Sequence, residues 1–137
     1  MTLFDSYINA VIALLNGRPL PLIDPIGRSV KLALGAGHPG LVVHAGTETV
    51  VHENTVYATR RRELLCSYVT QGEVPDEEEG QLAETYHPIV MSYRGLNMSA
   101  IDEVGVDEPR YTPERVSAIV VRRYVIEYRT SRGGLNA

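Results

Sequence analysis

The chain has 137 residues, 44% of them apolar and 22% charged, with a formal net charge of -4 and a single cysteine. That length and composition predict one globular domain over 1–137 that buries a sizeable core. The mild acidity argues against a dedicated nucleic-acid binder, and Cys66 alone excludes an intrachain disulfide, which fits a reducing compartment. No apolar run is long enough to span a membrane. The N-terminus lacks a basic region and carries Asp5, so a signal peptide is not expected.

In chain order, residues 3–16 predict an amphipathic helix, with Phe4, Ile8, Val11, Ile12 and Leu15 on one face. Thr2 is its expected N-cap, with Asp5 three places on, and Gly17 is expected to end it in the C′ position. "RPLPLIDPIG" has three prolines in ten residues, so residues 18–28 are expected to be an extended connector. Residues 29–34 are ambiguous, with strand favoured, and "GAGHPG" is a turn cluster. Residues 41–51 predict a strand with a bulge or bend at Ala45 and Gly46. "HEN" at residues 52–54 supplies a hairpin turn, and residues 55–70 run back as a second long strand. Its far half, from Leu64, is core. Its near half carries Arg60 and Arg62 on one face and Arg61 on the other. Arginine on both faces predicts a hairpin whose tip stands out into solvent or onto a partner.

"GEVPDEEEGQLAETYHPIVMSYRG" predicts a second helix. Pro75 suits its first turn. Asp76, Glu77, Glu78 and Glu79 sit where the helix dipole favours acids. Leu82, Tyr86, Ile89, Val90 and Tyr93 form the packing stripe, and Pro88 is expected to kink it. Residues 98–106 predict a short strand and residues 107–114 a surface loop. Residues 115–129 are rich in β-branched and aromatic residues with both faces apolar, as in a central strand. Residues 130–137 are expected to be a flexible tail. The order implies an α+β fold: a mainly antiparallel twisted sheet with a long protruding hairpin, packed by an N-terminal helix and one kinked central helix.

Candidate chemistry is sparse. His38, His44, His52 and His87 lack metal-ligand spacing, and Cys66 reads as a small core residue. "GAGHPG" lacks the lysine and serine of a phosphate loop. The triple arginine is more readily a protein contact or a solvated hairpin than a phosphate site. No catalytic constellation stands out, so neither an enzyme, a metal nor a cofactor is expected.

Three segments together resemble the tail terminator proteins of long-tailed bacteriophages: "HPGLVVHAGTETVVHENTVYATRRRELLCSYVTQ" their long hairpin, "VPDEEEGQLAETYHPIVMSY" the helix after it, and "SAIVVRRYVIEYR" the C-terminal strand. The resemblance implies a structural virion protein located at the head-proximal end of the tail and assembled in the host cytoplasm. It implies a homo-oligomeric ring, taken as hexameric, that caps the tail tube and ends polymerisation. Its partners would be the major tail tube protein and a head–tail connector or neck protein, with DNA passing through unread and no membrane involved. The expected contact residues are Glu48, His52, Glu53, Arg60, Arg61, Arg62, Asp76 and Glu77, with the arginines pairing acids on a neighbour. The competing readings are another neck or tail-completion protein, and a small cytoplasmic ligand-binding or enzymatic domain.

Overall fold

A computed structural model describes residues 1–17, 26–29, 33–34, 39–113 and 117–137. Two helices, α1 (Leu3–Asn16) and α2 (Pro75–Ser92), lie on one face of a sheet. The strands are β1 (Ile26–Gly27), β2 (Gly40–Glu53), β3 (Tyr57–Thr70), β4 (Met98–Val106), β5 (Arg110–Tyr111) and β6 (Ala118–Ser131). Their order is β1-β2-β3-β6-β4, with β5 also on β6. Among the described strands only the β1–β2 pair is parallel. The α+β class and the mainly antiparallel sheet expected from the sequence are therefore the observed ones.

Strand alternation divides the sheet into two faces. Leu41, Val43, Leu64, Cys66, Tyr68, Tyr124, Ile126 and Tyr128 point to the helix side and form the main core with Phe4, Tyr7, Ile8, Val11, Ala83, Tyr86 and Val90. The other face is capped at one end by a smaller cluster of Ala33, Val42 and Val69. The apolar stripe of α1 is as read, widened by Leu3 and Tyr7, while Ile12 is only half-buried. On α2 the buried stripe is Pro75, Glu79, Ala83, Tyr86 and Val90. Leu82, Ile89 and Tyr93 lie at its margin, half-buried. Pro88 sits within the helix on its exposed side, where water can satisfy the Glu84 carbonyl that loses its partner.

Several local features match the expectation. Thr2 and Asp5 form a reciprocal capping box: the Asp5 N–H donates to Thr2 Oγ1 at 3.1 Å and the Thr2 N–H to Asp5 Oδ2 at 3.0 Å. The register of β2 on β3 shifts between Ala45 and Glu48, the bulge expected at Gly46. β6 is central, flanked by β3 and β4.

Other features differ. Gly17 closes α1 with its N–H on Ala13 O, but at φ -75 it is not the left-handed cap expected. Ala33 is helical, its N–H donating to Ser29 O, where a strand was favoured. The hairpin turn falls at residues 54–56 rather than 52–54, because Asn54 Oδ1 accepts the N–H groups of Val56 and Tyr57, both at 2.8 Å. The expected loop at residues 107–114 contains β5. The tail is pinned rather than loose. Leu3 N–H donates to Leu135 O, Ser131 N–H to Asn136 O and Arg132 N–H to Val56 O. Most of the proline-rich connector, residues 35–38 of the turn cluster with His38 among them, and Val116 lie outside the described residues.

The capping box gives α1 an acid-sensitive start. Hydrogen bonds from Thr2, with Arg28 close by at 3.1 Å, lower the Asp5 carboxyl from 3.8 to about 2. A depressed carboxylate pKa contributes stability that is full above the unfolded value and fades as pH falls through the folded one. An Asp5→Asn variant is therefore expected to be less stable than the unaltered chain at neutral pH. Chemical denaturation at a series of pH values should show that gap closing between pH 3.8 and about 2. A gap that stays constant down to the lower limit would contradict the assignment.

Candidate interaction surfaces

The expected contact residues fall into two groups at opposite ends of the sheet. β3 runs from the hairpin tip at Tyr57 to the base at Thr70, and β6 returns from Ala118 to Ser131, pairing with β3 residue for residue. The arm is thus three strands wide at its tip, with β6 supporting the hairpin.

At the tip, Glu48, Arg60 and Arg62 turn inward. Arg60 Nε donates to Thr130 Oγ1 at 2.9 Å, and Arg60 Nη1 lies 3.4 Å from Glu48 Oε2. Glu48 also accepts the Tyr128 hydroxyl. Arg62 Nε donates to Gly46 O at 3.2 Å, and its guanidinium lies 5.1 Å from the Phe4 ring centroid. These residues are half-buried, and each has a partner within the chain. Phe4, near the start of α1, reaches over their face of β3. Arg61 faces the other way and is exposed, at 3.0 Å from Glu127. Glu53 pairs with Arg132 at 2.9 Å, and His52 is exposed beside the Tyr57 ring. The tip also presents apolar side chains: Val50, Val51 and Val56 are 47%, 44% and 72% exposed. A polarity scan for charged contacts passes over them, though three valines beside a turn are a legible signal.

The face opposite α1 and α2 carries a charge ladder. Arg123 bonds Glu63 at 3.0 Å and Asp107 at 2.7 Å. Arg123 holds the Asp107 carboxyl below the usual carboxylate range. Thr47, Thr49, Arg61, Glu63 and Val125 line a depression of about 450 Å³ there.

At the base, Asp76 and Glu77 are exposed in the first turn of α2, as read from the sequence. Glu78 instead accepts the N–H groups of Gln71 and Gly72, tying the helix start to the end of β3. Glu79 departs furthest from expectation. It is 2% exposed and bidentate with Arg122, at 2.8 and 3.1 Å. Arg122 also reaches Glu103 at 2.9 Å, and the Glu79 hydrogen bonds raise the Arg122 pKa above its ordinary value. Glu103 lies 3.4 Å from His87 Nε2, and His87 Nδ1 lies 2.7 Å from the Tyr124 hydroxyl. This Glu103–His87–Tyr124 relay has the form of a base-activated hydroxyl. Tyr124 is fully buried, however, with its ring stacked on His87 and burial raising its pKa. The relay fastens α2 to β4 and β6.

Cys66 and His44 serve the core. Burial pushes the Cys66 thiol up to about 12, keeping it a protonated core residue. His44 bonds Ser67 at 2.8 Å, and burial lowers its pKa. His44 and His52 do not meet: they pair with β3 positions six residues apart, roughly 20 Å along the strand. Among the described residues no cluster of three or more His, Cys, Asp or Glu side chains could hold a metal, and no helix is long and apolar enough to cross a membrane. No family model matches the chain, and no curated protein sequence matches it.

A buried ion pair is costly to break and cheap to replace as a whole. Glu79→Ala and Arg122→Ala are each expected to cost about 3–5 kcal/mol in urea unfolding. The double replacement Glu79→Leu with Arg122→Met should recover most of that loss. A double variant no more stable than the singles would show that the pair is not the fastening.

Proposed function

We propose that this chain is a structural virion subunit that forms a ring capping a phage tail tube, ending its polymerisation and offering a surface for head attachment. The observation that supports this most is the three-stranded arm ending in exposed Val50, Val51 and Val56. Exposed apolar clusters on a small domain mark partner contacts. A ring needs two different surfaces per subunit that meet around a closed circle, and the tip and base are two such surfaces. The element order of helix, hairpin, helix and long central strand is the one on which the resemblance to tail terminators rests. The arm serves as an intersubunit or tube-facing contact. Each contact is small, and several copies acting together supply the affinity.

Removal of the gene from a phage that carries it is expected to yield overlong tail tubes, seen by negative-stain electron microscopy. Added purified protein should restore uniform length. Tubes of normal length that fail to join heads would overturn the terminator assignment in favour of a neck protein.

A further inference from the structure

Charge in this molecule is divided along the strand axis. At the base, Glu73, Asp76 and Glu77 around the start of α2 and Glu108 before β5 are exposed and form no ion pair among the described residues. The base arginines Arg122 and Arg123 are taken up by Glu79, Glu103, Glu63 and Asp107. Arg110 alone offsets the free acids there among the described residues. Between these acids lie exposed apolar side chains: Val74 (51%), Val106 (44%) and Tyr111 (58%). Val106 and Tyr111 stand opposite Arg122 and Ala118, so both point to the helix side, toward the start of α2.

The tip has the opposite sign. Arg94 bonds only the carbonyls of Met91 and Tyr93. Arg129 lies 4.6 Å from the Tyr57 ring centroid. Both are exposed and neither has a carboxylate partner among the described residues. The loop holding Arg94 meets β6 at this end, since the Arg129 N–H donates to Asn97 O. The tip acids Glu48, Glu53 and Glu127 are all engaged, with Arg60, Arg132 and Arg61. Val50, Val51, Val56 and Leu96 supply the apolar part.

Each end therefore holds half of a contact: exposed apolar side chains with unpaired charge of one sign. A two-fold contact made end to end, tip on tip or base on base, would set like charges together. A head-to-tail contact sets the acidic base on the basic tip. We propose that the base of one copy, at Tyr111, Val106 and the start of α2, receives the hairpin tip of a second copy of this chain. This rests on the ring reading and names the surfaces that close the ring. Opposite charge steers the two ends together and fixes their direction, while the valines and Tyr111 supply the buried area. Because the steering charges are exposed, association weakens as salt rises.

The test is a charge swap followed by sedimentation of the full chain. Asp76→Lys with Glu77→Lys alters the base, and Arg94→Glu with Arg129→Glu alters the tip. Each pair alone is expected to weaken self-association at least tenfold, and all four substitutions in one chain should restore it. Val51→Asp reads the tip without touching an arginine and should also cost at least tenfold. All these positions are exposed, and thermal unfolding confirms that each variant folds. If the unaltered chain assembles, yet either pair leaves assembly unchanged or the four-fold variant is no better than the pairs, the head-to-tail surfaces are wrong and the ring survives. If the unaltered chain stays monomeric at every concentration, the ring itself fails.

Discussion

The pairing of β3 with β6 is the constraint from which the rest of the molecule follows. It runs for the full length of both strands without a bulge, whereas the β2 and β4 ladders each carry two register shifts. A one-residue slip of β6 on β3 would turn β6 over. It would drive Val121, Arg123 and Val125 under the helices and lift Arg122, Tyr124 and Ile126 off them. The register thus decides both the core and which charges remain outside.

From that register the fastening of α2 follows. Arg122 lands on the helix side only because it is opposite Cys66. There it meets Glu79, the only acid of the 76–79 block to be buried. At the other end, Gly95 lets the chain leave α2 closely. A Cβ at Gly95 would come 2.6 Å from both Tyr7 Cε1 and Tyr93 Oη, and the Tyr7 hydroxyl bonds Leu96 O. The two helices are therefore joined to the sheet by one buried ion pair at the base and one aromatic cluster of Phe4, Tyr7, Tyr93 and Tyr128 near the tip. The surface left over is an open face and two ends of opposite sign.

The local periodicities were legible in the sequence, and the long-range partners were not. The spacing of Phe4, Ile8, Val11 and Leu15, the Thr2–Asp5 cap, the bulge at Gly46 and the two-sided apolar pattern of 118–126 are signals that need no tertiary context. Glu79 looked like a solvated first-turn acid because its partner lies 43 residues away on another strand. Arg60 and Arg62 looked like free contacts for the same reason: Arg60 bonds Thr130, and Arg62 lies over the Phe4 ring. The tip of the hairpin was placed two residues early because the Asn54 side chain, not the polarity of the HEN run, sets the turn. Of the expected contact residues, Asp76, Glu77 and His52 are on the surface, Arg61 and Glu53 are on the surface but paired, and Glu48, Arg60 and Arg62 turn to the helix side.

A ring closed tip to base has a geometric consequence. Each strand axis must then run around the circumference, because the two contact surfaces lie at opposite ends of β3 and β6. An image reconstruction of the purified assembly at a resolution that separates strands measures this directly. The account predicts a closed ring whose long strands lie tangentially, with Val51 of each copy against Tyr111 of the next. Strands lying parallel to the ring axis, with every tip directed to the same side, would contradict it.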